Sequence, residues 1–340
     1  MNGLAQYLMS PTPALIDRHG RTIRYLRVSV TDRCDLRCRY CMAEQMTFLP
    51  RSELLALEEI ALIADRFIDR GVTKIRLTGG EPLVRRDAID LIRRIGRRVG
   101  NGLDELTLTT NGTRLPDYAP MLVDAGVRRI NVSLDSRDPA TFRHITRHGD
   151  VAQVLAGIAA AQAAGLTVKI NMVALNGLND TEIAPMLAWA GAQGMDLTLI
   201  ETMPLGMVEE DRADRFLPLT AVFDRLATQF TLTPDAHVSG GPARYWRVAE
   251  TGARLGLISP LTDNFCATCN RVRLTTEGKL FTCLGHADQV DLKAAIRGGG
   301  LAAVDSAIDA ALASKPAAHN FDVTPGAAPA VGRHMSVTGG

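Results

Sequence analysis

Two spacings of apolar residues alternate along this chain. Residues 23–30, Ile-Arg-Tyr-Leu-Arg-Val-Ser-Val, form a short apolar run that reads as a strand. Residues 54–70 are apolar at Leu54, Leu57, Ile60, Ala61, Ala64, Phe67 and Ile68, the period of a helix with one buried stripe. Ser52 stands before that helix as a start and Gly71 after it as a stop. The pair then recurs, with strands expected at 73–78, 105–109, 127–134, 167–173 and 196–201. Helices are expected at 87–99, 116–125, 139–144, 151–164 and 181–193, two of them ended by Gly126 and Gly165. Six strand–helix units at roughly 30-residue spacing predict parallel strands joined by right-handed crossovers. A flat doubly wound sheet shares this pattern. Polar residues cluster at the C-terminal ends of nearly every strand, however, where barrel enzymes keep their sites. The expected fold class is therefore α/β, an incomplete (β/α)6 TIM-type barrel.

After Pro218 the pattern changes. A helix is expected over 220–229, a hairpin from 243–249 and 252–259, and a second hairpin from 271–275 and 279–282. Residues 289–297 and 301–314 read as two Ala-rich helical pieces around Gly298-Gly-Gly300. This divides the chain into a lead-in (1–20), a core barrel (21–217), a C-terminal region of hairpins and helices (218–314) and a tail (315–340). The tail is rich in Ala, Pro and Gly and should be loose unless something holds it.

Among the 340 residues, 38 Lys and Arg stand against 37 Asp and Glu, so no overall charge recruits nucleic acid or a membrane surface. The first twenty residues lack the pattern of a signal peptide. No apolar run reaches the ~20 residues needed to span a bilayer. All six cysteines fall into two groups of three, and triplets do not build disulfide frameworks, so a reducing compartment, the cytoplasm, is expected.

The first group is Cys34, Cys38 and Cys41, spaced C-x3-C-x2-C with Tyr40 inside the loop. Three thiolates in one loop suit a [4Fe–4S] cube with one iron left open, and zinc hooks rarely take this form. Thr78-Gly-Gly-Glu-Pro82 follows the second strand. Alone it is only a turn, but two glycines there allow close backbone approach to a ligand. Ser133 and Met203 end the fourth and follow the sixth strand. The second group is Cys266, Cys269 and Cys283, and His286 would complete a three-thiolate, one-imidazole zinc site on spacing alone. Arg271 and Arg273 flank Val272 in the next strand, so their side chains share a face. Arg27, Lys74, Arg76 and Lys169 sit inside expected parallel strands, where charge is costly unless it lines a cavity. A cavity so lined calls for a polyanion such as a triphosphate.

The two triplets, Thr-Gly-Gly-Glu-Pro, Thr109-Thr-Asn-Gly112, Asn131-Val-Ser-Leu-Asp135, Asn270-Arg-Val-Arg273 and the terminal Gly339-Gly340 together resemble the GTP 3′,8-cyclase family of molybdenum cofactor biosynthesis, within the radical S-adenosylmethionine (SAM) superfamily. The resemblance runs from about Leu15 to Gly340. It implies two [4Fe–4S] clusters: one on Cys34, Cys38 and Cys41 that binds SAM, with Tyr40, Gly80, Ser133 and Met203 around SAM, and one on Cys266, Cys269 and Cys283 that meets the guanine. It also implies GTP contacts from Arg27, Arg76, Thr109, Lys169, Arg271, Val272 and Arg273. Arg271, Arg273, Gly339 and Gly340 would act in catalysis, the last two by threading into the barrel. The implied reaction begins when a 5′-deoxyadenosyl radical takes the C3′ hydrogen of GTP. Attack on C8 of guanine then gives 3′,8-cyclo-7,8-dihydro-GTP. A flavodoxin or ferredoxin system would supply electrons and cyclic pyranopterin monophosphate synthase would take the product; a homodimer is compatible with the resemblance. Thr198 departs from the family, where many members carry Arg. Two alternatives stand beside this reading: a radical SAM peptide-modifying enzyme with an auxiliary cluster, and a non-catalytic redox sensor with two three-cysteine sites.

Overall fold

The computed structural model describes residues 14–208 and 212–339. Six strands alternate with helices: β1 (Tyr25–Ser29), α1 (Leu57–Asp69), β2 (Lys74–Thr78), α2 (Ala88–Gly96), β3 (Glu105–Thr110), α3 (Leu115–Asp124), β4 (Arg129–Ser133), α4 (Pro139–Thr146), α5 (Val151–Ala163), β5 (Thr167–Ala174), α6 (Ile183–Ala192) and β6 (Asp196–Glu201). There follow α7 (Arg212–Arg215), α8 (Leu219–Ala227), β7 (Leu232–Asp235), β8 (Arg244–Val248), β9 (Arg254–Ile258), β10 (Arg271–Leu274), β11 (Lys279–Phe281), β12 (Gln289–Asp291), α9 (Leu292–Ala313) and α10 (Met335–Thr338).

The expected barrel is present, with two strands more than expected. β1 to β6 pair in parallel in chain order. β10 then adds parallel to β1, and β9 adds parallel to β6. Both expected hairpins form, β8 with β9 and β10 with β11, and each lends one strand to the parallel set. The set stays open between β9 and β10, which lie at its two ends in the sheet order. The chain crosses this opening in residues 259–270, the segment that carries Cys266 and Cys269.

Alternation along the strands divides the barrel into an apolar outside and a polar inside. Leu26 and Val28 of β1, Ile75 and Leu77 of β2, Leu106 and Leu108 of β3, and so on to Val272 and Leu274 of β10, are buried in one aliphatic layer with the helices. The intervening positions are Tyr25 and Arg27, Lys74 and Arg76, Thr107 and Thr109, Arg129 and Asn131, Lys169 and Asn171, and they face inward in register. At the amino ends of the strands the interior charges are paired. Lys74 Nζ lies 2.6 Å from Glu105, Arg129 lies 2.5 Å from the same carboxylate, and Arg254 lies 3.3 Å from Asp196.

Three local expectations need correction. Ser52 does not start a helix. It lies in a 3₁₀ turn, and α1 begins after Ala56, whose N–H donates to the Glu59 carboxylate at 2.8 Å. Residues 289–291 are strand rather than helix, because β12 pairs antiparallel with β11; Asp291 then caps α9 by accepting from the Ala294 N–H at 2.8 Å. The tail from Lys315 is held in place, as described below. The break at Gly298-Gly-Gly300 is present, with Gly300 at φ 64°.

Because the aliphatic layer is continuous, a truncation within it leaves a void. Leu108→Ala, at a fully buried outward position of β3, should cost ~2–5 kcal/mol of stability. A shifted denaturant midpoint with unchanged far-ultraviolet circular dichroism is the expected readout.

Candidate active site

β1 delivers the first cysteine loop, and the glycines after β2 let it close. Gly80 N–H donates to Thr31 O at 2.9 Å and Glu81 N–H to Arg33 O at 2.8 Å. A Cβ on Gly80 would lie 2.3 Å from Arg33 O, and one on Gly79, which has φ +149°, would lie 2.4 Å from Thr31 O. The glycine pair is therefore required by the cysteine loop itself, in addition to any ligand. Buried Glu81 accepts from Thr110 Oγ1, the Asn111 N–H and the Leu83 N–H, and so ties β2 to β3. Cys34, Cys38 and Cys41 line one cavity together with Tyr40, Gly80, Ser133 and Met203. Tyr40 donates to Asp135 at 2.7 Å. Burial pushes all three thiols up, Cys41 to about 12; Glu81 adds to the effect on Cys34 and Asp135 to that on Cys38. Three soft donors on one wall, with no disulfide among them, fit a cationic iron–sulfur cluster that would hold them as thiolates.

The second triplet lines an adjoining cavity, which shares Asn171, Ile200, Met203 and Met335 with the first. Burial raises Cys269, but Arg271 and Lys315 together outweigh it and bring the thiol to about 7. Lys315 is 1% exposed; its Nζ lies 3.6 Å from Cys269 Sγ and donates to Thr282 O at 2.5 Å and Arg271 O at 3.2 Å. Arg21 closes the same corner by donating to the carbonyls of Cys266, Pro316 and Ala317. His286 turns away, with Nε2 2.9 Å from Ala318 O. Three thiols face this cavity, with the His319 imidazole also in its wall, and the thiol triplet fits a second cluster.

Arg27, Arg76, Lys169, Arg271 and Arg273 share this cavity, and none of its described lining residues is a carboxylate. Their charges show the strain. Burial lowers Arg27 to about 10, helped by Arg76 and Arg271, and lowers Arg273 and Lys169 well below their usual values. Tyr25 stands among them; burial raises its phenol, yet Arg76, Arg27, Lys74 and Arg271 outweigh this and bring it to about 8. Two positions differ from the GTP-contact expectation. Thr109 lines the first cavity and accepts from Arg76 Nη1 at 3.2 Å. Val272 lies in the outer aliphatic layer and presents no side chain to the cavity.

The tail completes the wall between the cavities. Leu205 pairs with Val331, Arg333 lies 4.0 Å over the Phe281 ring, and the Ser336 N–H bonds Cys41. Met335 lines both cavities. Gly339 has φ +75°, its carbonyl accepts from Arg273 at 2.5 Å, and a Cβ there would fall 1.6 Å from Thr78 Oγ1. Gly340 lies outside the described residues. Sequence reasoning did not find Lys315, Tyr25, Met335 or the inward Asn131 and Asn171. Only the inward phase of Tyr25, Asn131 and Asn171 in their strands marked any of them.

Residues 28–190 match the radical SAM superfamily and residues 195–321 match the molybdenum cofactor synthesis C-terminal family. A GTP 3′,8-cyclase of Erythrobacter litoralis is 59% identical over 96% of this chain and 98% of its own. One of Rhizobium etli is 57% identical over 99% and 98%. The chain belongs to the GTP 3′,8-cyclase family. Its fold is similar to that of Streptococcus suis SuiB bound to S-adenosylmethionine, with a TM-score of 0.61, 14% identity, and coverage of 87% of this chain and 66% of that one.

Thr198, where the resemblance led an Arg to be expected, has surroundings that explain how the position is filled. Thr198 Oγ1 is buried without a partner beside Gly256. A Cβ on Gly256 would lie 2.8 Å from Thr198 Oγ1 and 2.9 Å from the Tyr245 ring, so the tyrosine occupies the space in front of Gly256. Tyr245 OH in turn accepts from Lys169 Nζ at 3.2 Å and donates to Ser239 Oγ at 3.0 Å. Thr198→Arg should therefore overpack, lowering stability by ~1–3 kcal/mol without tightening GTP binding. Thermal melting and calorimetric titration with GTP check both parts.

Proposed function

We propose that this chain converts GTP to 3′,8-cyclo-7,8-dihydro-GTP, the first step of molybdenum cofactor biosynthesis, through residues that divide the work between two joined cavities. The observation that carries the division is that a cavity lined by five Lys and Arg, with no carboxylate among its described lining, shares Asn171, Ile200, Met203 and Met335 with the cysteine-lined one. Cys34, Cys38 and Cys41 hold the first cluster, and Tyr40, Gly80, Ser133 and Met203 hold SAM against it. When bound, SAM and that cluster supply a 5′-deoxyadenosyl radical after one-electron reduction. Cys266, Cys269 and Cys283 hold the second cluster, against which the guanine rests. Arg27, Arg76, Lys169, Arg271 and Arg273 grip the triphosphate, whose charge offsets the burial that lowers Arg27, Arg273 and Lys169. Thr109 acts through Arg76, and Val272 can contribute only backbone. Met203, Met335 and Ile200 line both cavities, and this apolar boundary keeps water from the radical. The barrel (21–217) and the region 218–314 thus supply one half of the site each, closed by the tail. A flavodoxin- or ferredoxin-type donor supplies the electron, and cyclic pyranopterin monophosphate synthase takes the product, in the cytoplasm.

A peptide substrate is disfavoured, because a polycationic cavity would meet no matching charge. Reconstituted anaerobically, the chain should bind about eight irons, the sum of two cubes. Cys283→Ser should roughly halve the iron and leave SAM binding near normal. Stoichiometric zinc at the C-terminal triplet in place of iron would overturn the two-cluster assignment.

Gly339 tests the tail separately. Gly339→Ala places a Cβ on Thr78 and a side chain at positive φ. It should abolish cyclisation while iron content and SAM binding stay near wild type. Full activity in this variant, measured as cyclised product per SAM cleaved, would make the end of the chain a mere terminus.

A further inference from the structure

Asn131 of β4 and Asn171 of β5 are diagonal neighbours, Asn131 pairing with Lys169 and Asn171 with Ser133, and their amides are only partly accounted for by the fold. Asn131 is 1% exposed, and its Nδ2 donates to Asn171 Oδ1 at 3.3 Å. Its own carbonyl oxygen is buried and has no hydrogen-bond partner. A buried acceptor without a donor is costly, and such an atom in a cavity wall marks a place where a ligand donor belongs. Both residues line the cationic cavity. Four described residues line both cavities, Asn171, Ile200, Met203 and Met335, and Asn171 alone among them is polar.

The position of this pair determines what it meets. Along β5, Lys169 faces the cations and Asn171 lies two residues further on, at the level of Ser133 on β4. A nucleoside triphosphate in the cavity gives its phosphates to Arg and Lys and its base to the cysteine end. The remaining part, the ribose, carries neutral hydroxyls, and the radical must reach it from the side of the other cavity, whose lining includes Asn171. A ribose hydroxyl can donate to Asn131 Oδ1, and the Asn171 amide nitrogen can donate to a hydroxyl oxygen. We propose that Asn131 and Asn171 bind the 2′,3′-diol of the nucleotide and so determine which ribose carbon faces the SAM cavity. This rests on the functional reading above. The pair therefore governs specificity for ribonucleotides over deoxynucleotides.

Equilibrium binding to the full-length, anaerobically reconstituted protein, with SAM present and no reductant, tests it. The probes are GTP, 2′-deoxy-GTP and 3′-deoxy-GTP. The wild type should bind GTP about 10-fold more tightly than at least one deoxy analogue. In Asn131→Ala that preference should collapse towards one, because GTP binding weakens while binding of the deoxy analogue barely changes. Asn171→Ser, shorter but still polar, supplies the same comparison if Asn131→Ala does not fold. A preserved preference in the folded variant, with all three nucleotides weakened equally or not at all, overturns the proposal and leaves the cyclase reading standing. Failure of the wild type itself to bind GTP overturns that reading instead.

Discussion

Like charges enclosed together are the condition that the rest of this molecule accommodates. Five Lys and Arg side chains share one cavity without a carboxylate among its described walls. Near the amino ends of the barrel strands, by contrast, interior cations have acidic neighbours: Glu105 serves Lys74 and Arg129, and Asp196 serves Arg254. The contrast lies within single strands, since Lys74 is paired while Arg76, two residues on, is not matched by an acid. Repulsion at these distances is tolerable only because the cavity admits water and an anion. The fold thus stores an unmet demand for negative charge at one depth of the barrel and satisfies it at another.

The second constraint is steric. The cysteine loop closes only because Gly79 and Gly80 carry no side chain where Thr31 and Arg33 pass, and Gly339 packs against Thr78, the residue before that pair. One short stretch of backbone therefore serves as the seat of the first triplet and as the stop for the last residues. The tail reaches it across both cavities, so the geometry of one bears on the other through Met335 and the Ser336 contact to Cys41.

Most of the barrel was legible because its signals are local. The six strand–helix units, the two hairpins, the break at Gly300 and the inward phase of Arg27, Arg76 and Lys169 all follow from period and turn chemistry. What could not be read is long-range. Nothing near Arg254 or Arg271 indicates that β9 and β10 would run parallel to strands far away in the chain, and β12 is too short to show a period. Lys315 reads as the start of a polar tail, but its ammonium is buried against Cys269 because three backbone segments meet there. The cysteine triplets were plain from spacing, whereas the unmatched amide of Asn131 emerges only when its neighbours are known. In the strand it is one more inward polar residue.

The pairing of β10 with β1 and of β9 with β6 has a consequence for any shortened form of the chain. A fragment that ends with β6 would keep all six barrel strands yet expose an unpaired row of amides and carbonyls on β1 and another on β6. Both strands are rich in aliphatic residues and would make templates for pairing with other chains. In the full chain those rows are covered, and the sheet ends instead on β12, three residues long, and β7, four residues long with a proline at its centre. Such strands offer little to a partner. The C-terminal third thus protects the barrel from self-association as well as furnishing half of its site.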